Sequence, residues 1–134
     1  MYGAKEIVVD ASVVLAVILN EPEKNDIIGI TEGKFLVSSG CLKWEIGNAF
    51  SAMHKRKRLN EEQVQKALDT FSVIPIKEVE VDLRDALQIC VTHNIYAYDA
   101  YYMIVSKRLS RPLLTLDYRM SVVAKEEGIK VEEI

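Results

Sequence analysis

Three aspartates of this 134-residue chain occupy similar positions relative to the predicted strands and helices. Asp10 follows an apolar run at residues 7–9, Asp117 follows a second run at residues 113–116, and Asp99 opens a predicted helix. In a parallel α/β sheet, strand carboxyl ends and helix amino ends meet at one edge, where ligands bind. We therefore expect the three carboxylates to face a common crevice.

Helix capping offers a second explanation for these aspartates, because Asp is among the residues preferred at the N-cap. Ser, Asn and Thr cap about as well, so capping alone does not require Asp three times. Glu45 lies inside a predicted helix and cannot be a cap. At 100° per residue it falls beside an apolar stripe, on the side of Asn48 and Ala52, so its carboxylate should be partly buried. We favour a cluster of four carboxylates formed by Asp10, Glu45, Asp99 and Asp117.

A cluster of four carboxylates suits one kind of chemistry. The charges repel one another unless protons or a cation compensate them. Oxygen-only ligands favour Mg²⁺ or Mn²⁺, which often bind through carboxylates together with substrate phosphate oxygens. The motifs contain neither cysteine nor histidine, which argues against zinc. Because a hard cation activates bound water and neutralises charge at phosphorus, phosphodiester hydrolysis is the predicted reaction.

Two hydroxyl side chains lie two residues away from the aspartates: Ser12 follows Asp10 and Thr115 precedes Asp117. We predict that both orient a carboxylate or a metal-bound water. Local hydrogen bonds to the backbone of a helix start explain them equally well. The histidines, His54 and His93, have no motif context, so no Ser-His-Asp triad is expected and both are interpreted as solvated or ordinary helix-end residues.

Short β-branched runs alternate with longer segments of helical period, which is typical of a parallel sheet flanked by helices. The predicted strands are residues 6–9, 34–37, 76–81, 112–115 and 130–132. The predicted helices lie near residues 11–19, 22–31, 41–58, 60–73, 82–93, 98–109 and 118–127. Because no linker, repeat or low-complexity tract divides the chain, we expect residues 1–134 to form a single α/β domain.

The composition excludes several classes of protein. The net charge of −3 argues against coating nucleic acid through bulk positive charge. The longest apolar stretch, residues 7–19, is too short to span a bilayer and contains Asp10, so no membrane segment is expected. Cys41 and Cys90 form no ligand or redox motif. A reducing, cytoplasmic location is therefore the expectation.

Two further groups of side chains have alternative interpretations. The basic run at residues 54–58 is interpreted as cations at a helix C-terminus rather than as a phosphate site. Aromatic side chains near the aspartates and Glu45 are suited to stacking on unpaired bases. Packing in the core or at a subunit interface is the favoured interpretation. These aromatic residues are Trp44, Tyr96, Tyr98, Tyr101 and Tyr102.

The ordered set of motifs resembles PIN domains, and most closely the VapC-type toxins of prokaryotic toxin–antitoxin pairs. The resemblance covers nearly the whole chain and rests on the segments 9–12, 45–50, 98–102 and 115–117. It implies a three-layer α/β/α sandwich of Rossmann-like type with a central, mainly parallel sheet. It also implies Mg²⁺- or Mn²⁺-dependent endonucleolytic cleavage of single-stranded or loop RNA.

The same resemblance assigns roles and partners. Asp10, Glu45, Asp99 and Asp117 are implied to be the catalytic, metal-site residues, with Ser12 and Thr115 as supporting polar groups. A homodimer or higher homo-oligomer is implied, together with a small cognate antitoxin that occupies the acidic groove. Some relatives carry a further acidic residue after the last aspartate, whereas Tyr118 and Arg119 follow here. We therefore expect one tightly held ion with a second recruited by RNA, and a single-metal mechanism is the alternative.

Two other functions remain in competition. A catalytically silent PIN-like module that binds RNA or protein would keep the acidic fold for structural reasons, since the three aspartates are also good caps and the further carboxylate of some relatives is missing. A receiver-type phosphoacceptor domain also places aspartates at strand ends. It resembles this chain less, because such domains have an acidic pair beside the first strand and a late lysine, whereas Asp10 stands alone here.

Overall fold

The structure is a computed structural model that describes residues 5–134, so residues 1–4 of the predicted domain lie outside the described residues. The strands are β1 (Glu6–Val9), β2 (Phe35–Ser39), β3 (Ile76–Val79) and β4 (Leu113–Leu114). The helices are α1 (Ala11–Ile18), α2 (Lys24–Thr31), α3 (Leu42–Lys55), α4 (Glu61–Ser72), α5 (Leu83–His93), α6 (Ala97–Leu109) and α7 (Tyr118–Glu126). This arrangement confirms the predicted α/β fold with helices flanking a parallel sheet.

The sheet is parallel throughout, with the strand order β3-β2-β1-β4. In the centre, Val8 of β1 pairs with Val37 of β2 on one side and with Leu113 of β4 on the other. All three side chains are fully buried, as expected for a parallel strand covered on both faces. Because α1 follows β1 directly and α7 follows β4 after three residues, both helix starts lie at the carboxyl edge of the sheet.

The strand predictions were correct in order but differ at their ends. β2 continues through Ser38 and Ser39, both buried, beyond the predicted end at residue 37. Ser38 is accommodated because its hydroxyl donates to the Val9 carbonyl oxygen at 2.6 Å. At the C-terminus, the predicted strand at residues 130–132 is reduced to one parallel bridge between Val131 and Leu113.

The helix containing Glu45 also ends earlier than predicted. α3 stops at Lys55, and Lys57 adopts a positive φ of 61°, which ends the helical path before residue 58. The basic run therefore lies at and just beyond a helix C-terminus, where cations interact favourably with the helix dipole. Within residues 5–134, no helix is both long and apolar enough to cross a membrane.

Candidate active site

Asp10 is the most deeply buried of the four predicted site residues, with 3% of its surface exposed. It caps α1, and its Oδ1 accepts hydrogen bonds from the Val13 backbone N–H at 3.1 Å and from the Ser12 hydroxyl at 2.6 Å. Its Oδ2 accepts a hydrogen bond from the Thr115 hydroxyl at 2.5 Å. Burial raises the pKa of Asp10, whereas these hydrogen bonds oppose the rise. The carboxylate is thus fixed on both oxygens.

The hydroxyls of Ser12 and Thr115 join the two strand ends. Ser12 Oγ accepts from the Leu116 N–H, and Thr115 Oγ1 accepts from the Asp117 N–H, each at 3.0 Å. Both hydroxyls also donate to Asp10, as the orienting interpretation predicted. The alternative of a local backbone bond applies as well to Thr115, whose partner Asp117 caps α7, but not to Ser12, whose backbone partner Leu116 lies 104 positions away. The structure therefore supports carboxylate orientation, whereas contact with a metal-bound water stays a prediction.

The capping alternative is correct for two aspartates and wrong for the third. Asp10 caps α1, and Asp117 caps α7 by accepting from the Met120 N–H at 3.1 Å. Asp99 is instead the third residue of α6, whose N-cap is Tyr96. Capping therefore leaves the carboxylate of Asp99 unexplained.

The electrostatics of Asp99 link it to the other three carboxylates. Its side chain is half-buried, and its pKa is raised to about 6, first by burial and then by the charges of Asp117, Glu45 and Asp10. No hydrogen bond is among the causes of this shift, so none opposes the repulsion between the carboxylates. The four predicted residues thus form one interacting group, called the acidic cluster below.

Glu45 enters the acidic cluster from α3, with a half-buried side chain as the helical pattern predicted. Its Oε2 accepts hydrogen bonds from the Tyr102 hydroxyl and, at 3.5 Å, from the Cys41 thiol. Burial raises the pKa of both donors, which keeps them protonated. Neither the contact with Tyr102 nor the contact with Cys41 was predicted from the sequence. The available signal was the position of Tyr102 three residues after Asp99, on the same side of α6.

The donors of the acidic cluster fit a hard divalent cation by their chemistry. All four residues offer carboxylate oxygens, and their mutual repulsion is the kind that Mg²⁺ or Mn²⁺ relieves. As the side chains stand, no group of three or more His, Cys, Asp or Glu residues in the described part of the chain is arranged to hold a metal ion. Metal ligation by the cluster therefore stays a prediction.

The aromatic side chains near the cluster divide into two groups. Tyr102 is buried in the core, as predicted. The prediction of core packing is wrong for Trp44, Tyr96 and Tyr98, whose exposed fractions are 69%, 85% and 54%. Interface packing and base stacking stay as predictions for these three.

The histidines lie outside the acidic cluster. His54 is exposed in the last turn of α3. His93 ends α5 but is not solvated: its Nε2 lies 2.7 Å from Glu127 and its Nδ1 lies 3.3 Å from Glu126. It therefore links the end of α5 to the end of α7.

The chain is similar to a known family and to several known proteins. The PIN domain family model matches residues 7–126. Ribonuclease VapC9 of Mycobacterium tuberculosis is 30% identical over 115 residues, which cover 86% of this chain and 88% of the relative.

Two solved structures share the fold. PAE2754 from Pyrobaculum aerophilum superposes with a TM-score of 0.76 at 21% identity, covering 98% of this chain and 92% of that one. VapBC2 from Rickettsia felis, bound to a DNA fragment from their promoter, gives a TM-score of 0.65 at 12% identity, covering 95% and 97%. Because the family model spans residues 7–126, which is most of the sequence, and Ribonuclease VapC9 is 30% identical over 115 residues, the chain belongs to the PIN domain family.

Proposed function

We propose that this chain is a Mg²⁺- or Mn²⁺-dependent endoribonuclease that hydrolyses phosphodiester bonds of single-stranded or loop RNA, and that it is the toxin of a toxin–antitoxin pair. The observation that carries the proposal is that Ser12 and Thr115 join Asp10 to the backbone beside Asp117, while Asp99 lies close enough to the other three carboxylates for their charges to raise its pKa. Family membership and the ribonuclease name of VapC9 support the same reaction class.

The four carboxylates of the acidic cluster would hold the cation, which when bound supplies water activation and neutralises charge at phosphorus. Hydrogen bonds from Ser12, Val13 and Thr115 fix Asp10, so this carboxylate needs little reorganisation. In the metal-free protein the pKa of Asp99 is raised to about 6, so below that pH a proton competes with the cation for this carboxylate. Mn²⁺ affinity should therefore fall as the pH drops through 6.

We propose further that the chain forms a homodimer. Support comes from α5, where Leu83, Leu87 and Val91 are 56%, 46% and 84% exposed. Their spacing of four residues places them along one side of the helix, and an exposed apolar stripe of this kind suits a subunit interface. Light scattering of the purified protein at micromolar concentration should report twice the mass of one chain, and a Leu87→Asp variant should report the monomer mass.

A small antitoxin that occupies the acidic cluster is the proposed protein partner. The fold shared with VapBC2 and the likeness to VapC9 support this proposal. A cytoplasmic location is proposed as well, supported by the two free thiols of Cys41 and Cys90.

The test of the proposed reaction is cleavage of a labelled RNA containing a single-stranded loop, with Mg²⁺ or Mn²⁺ and in the presence of EDTA. Wild type should cut the RNA only with metal, and Asp10→Asn should lose most of the activity because the fixed carboxylate is gone. Asp69→Asn, which changes an exposed aspartate of α4, serves as a control and should keep it. Equal cleavage by wild type and Asp10→Asn, in preparations free of other nucleases, would overturn the proposal.

A catalytically silent RNA- or protein-binding module is the second candidate. One observation favours it. Within residues 5–134, no three Asp, Glu, Cys or His side chains are arranged to hold a metal ion. Titration calorimetry with Mn²⁺ separates the candidates, because only the nuclease requires binding that depends on Asp99 and Asp117. The receiver-type interpretation receives no support from the family assignment.

A further inference from the structure

The two oxygens of the Glu45 carboxylate have different surroundings. Oε2 accepts hydrogen bonds from the Tyr102 hydroxyl and from the Cys41 thiol. Because both donors contact Oε2, Oε1 is the oxygen that remains available to bind a cation in the acidic cluster. The charge of Glu45 contributes to the raised pKa of Asp10 and of Asp99, so the carboxylate is near enough to interact electrostatically with both.

Tyr102 is held rigidly where it meets Glu45. Only 1% of its surface is exposed, and it lies in α6, which packs against β1, β2 and β4. It follows Asp99 by three residues, so both side chains project from neighbouring positions on one side of the helix. Helix α6 thus carries both Asp99, a member of the acidic cluster, and the Tyr102 hydroxyl, which contacts Glu45, another member.

The hydroxyl of Tyr102 is not needed for packing. A phenylalanine fills nearly the same volume, and a buried hydroxyl without a hydrogen-bond partner destabilises the folded state. The partner that explains this hydroxyl is the Glu45 carboxylate, 57 residues away in the sequence. The neighbouring Tyr101 differs, because its ring packs edge-on against Tyr98 with centroids 5.9 Å apart.

We propose that Tyr102 is a positioning residue that fixes Oε2 of Glu45, so that the glutamate carboxylate stays beside Asp10 and Asp99. The proposal rests on the proposed function, since it assigns Tyr102 a role in preparing the acidic cluster for a cation. Without the phenol, only the long contact from the Cys41 thiol, at 3.5 Å, still holds Oε2, so the glutamate side chain is less restricted to one rotamer. Loss of comparable outer contacts typically costs about 10–100-fold in metal affinity or activity.

The test compares Tyr102→Phe with Tyr101→Phe, which removes a hydroxyl from the adjacent tyrosine. Calorimetric titration of the metal-free proteins with Mn²⁺ should show about 10–100-fold weaker binding for Tyr102→Phe. Tyr101→Phe should stay within about threefold of wild type, since it leaves the Glu45 contact intact. With RNA, kcat of Tyr102→Phe should fall by a similar factor, whereas KM should change by less than about threefold, because a positioning role acts on the cluster rather than on substrate binding.

A pair of unnatural residues gives a readout that a purely structural role would not move. Tyr102→4-aminophenylalanine keeps a donor at the same place and should restore Mn²⁺ affinity to within about threefold of wild type. Tyr102→4-fluorophenylalanine has a similar size without a donor and should bind as weakly as Tyr102→Phe. If Tyr102→Phe does not fold, this pair decides the question.

The outcomes separate this inference from the proposed function. If wild type binds Mn²⁺ through Asp10 and the variants without a donor at position 102 bind it equally well, the positioning role is refuted and the nuclease proposal stands. If wild type neither binds Mn²⁺ nor cuts RNA, the proposed function fails and the role of Tyr102 fails with it.

Discussion

Replacing Asp99 with asparagine should stabilise the metal-free protein while removing its response to metal. The pKa of Asp99 is raised to about 6 by burial and by neighbouring carboxylates. A raised carboxyl pKa means that the folded state binds the proton more tightly than the unfolded chain does. The ionised carboxylate therefore destabilises the fold above pH 6, and the penalty is relieved as the pH falls from 6 toward 3.8.

The size of the effect follows from the two pKa values. Between pH 8 and pH 5, a shift from 3.8 to about 6 changes the free energy of unfolding by about 1.4 kcal/mol. Asp99 is only half-buried, so solvent screening reduces this to about 1 kcal/mol. On lowering the pH from 8 to 5, wild type should gain about 1 kcal/mol relative to Asp99→Asn, which corresponds to roughly 4 °C in Tm for a domain of this size. Comparing two pH values removes constant effects of the substitution, such as the lost attraction between Asp99 and the start of α6.

The assay is urea unfolding followed by circular dichroism, in EDTA, at pH 8 and pH 5. Asp69→Asn is the control and should differ from wild type by less than about 0.5 kcal/mol at both pH values. Adding Mn²⁺ at 100 times its Kd should stabilise wild type by about 2.7 kcal/mol and leave Asp99→Asn nearly unchanged. A stability difference between wild type and Asp99→Asn that is the same at both pH values would refute the electrostatic reasoning.

Two further predictions concern other polar contacts. Thr115→Val keeps the shape of the side chain but removes the donor to Asp10, so urea unfolding should show a loss of about 1–3 kcal/mol that Thr115→Ser largely restores; a loss below about 0.5 kcal/mol would contradict the burial argument. Hydrogen bonds from Lys107 and His93 lower the pKa of Glu127 below its usual 4.5, so the stabilisation is present above that pH and is lost as the pH falls through the lowered pKa. Glu127→Gln should therefore lower Tm at pH 7, and thermal scans should show the difference shrinking below about pH 4.5; a difference that persists unchanged at pH 3 would oppose this assignment.

The sequence predicted the elements that carry the site because local patterns specify them. The apolar run of β1 followed by Asp10 identified a strand end, and the apolar stripe of α3 predicted that Glu45 is half-buried. Both features depend on residues within a few positions of each other. The rule that ligands bind where the carboxyl ends of parallel strands meet helix starts then indicated which edge of the sheet collects the acids.

The remaining features depend on contacts between distant residues. The hydroxyl of Tyr102 meets Glu45 only because α6 and α3 approach each other, and no periodic pattern encodes that distance. Ser38 extends β2 because its hydroxyl finds the Val9 carbonyl on the neighbouring strand, although serine has little preference for strands. His93 was interpreted as a solvated or ordinary helix-end residue; it does end α5, but its contacts with two glutamates were not predicted, because these partners lie 33 and 34 positions further along the chain.

The hydrogen bond between Thr115 and Asp10 joins residues 105 positions apart. During synthesis, the amino-terminal part of the chain emerges long before Thr115 and Asp117 have been added. Until then, Asp10 lacks the hydrogen bond from the Thr115 hydroxyl, and the acidic cluster lacks Asp117. A nascent or prematurely terminated polypeptide that stops before Thr115 therefore cannot assemble the acidic cluster.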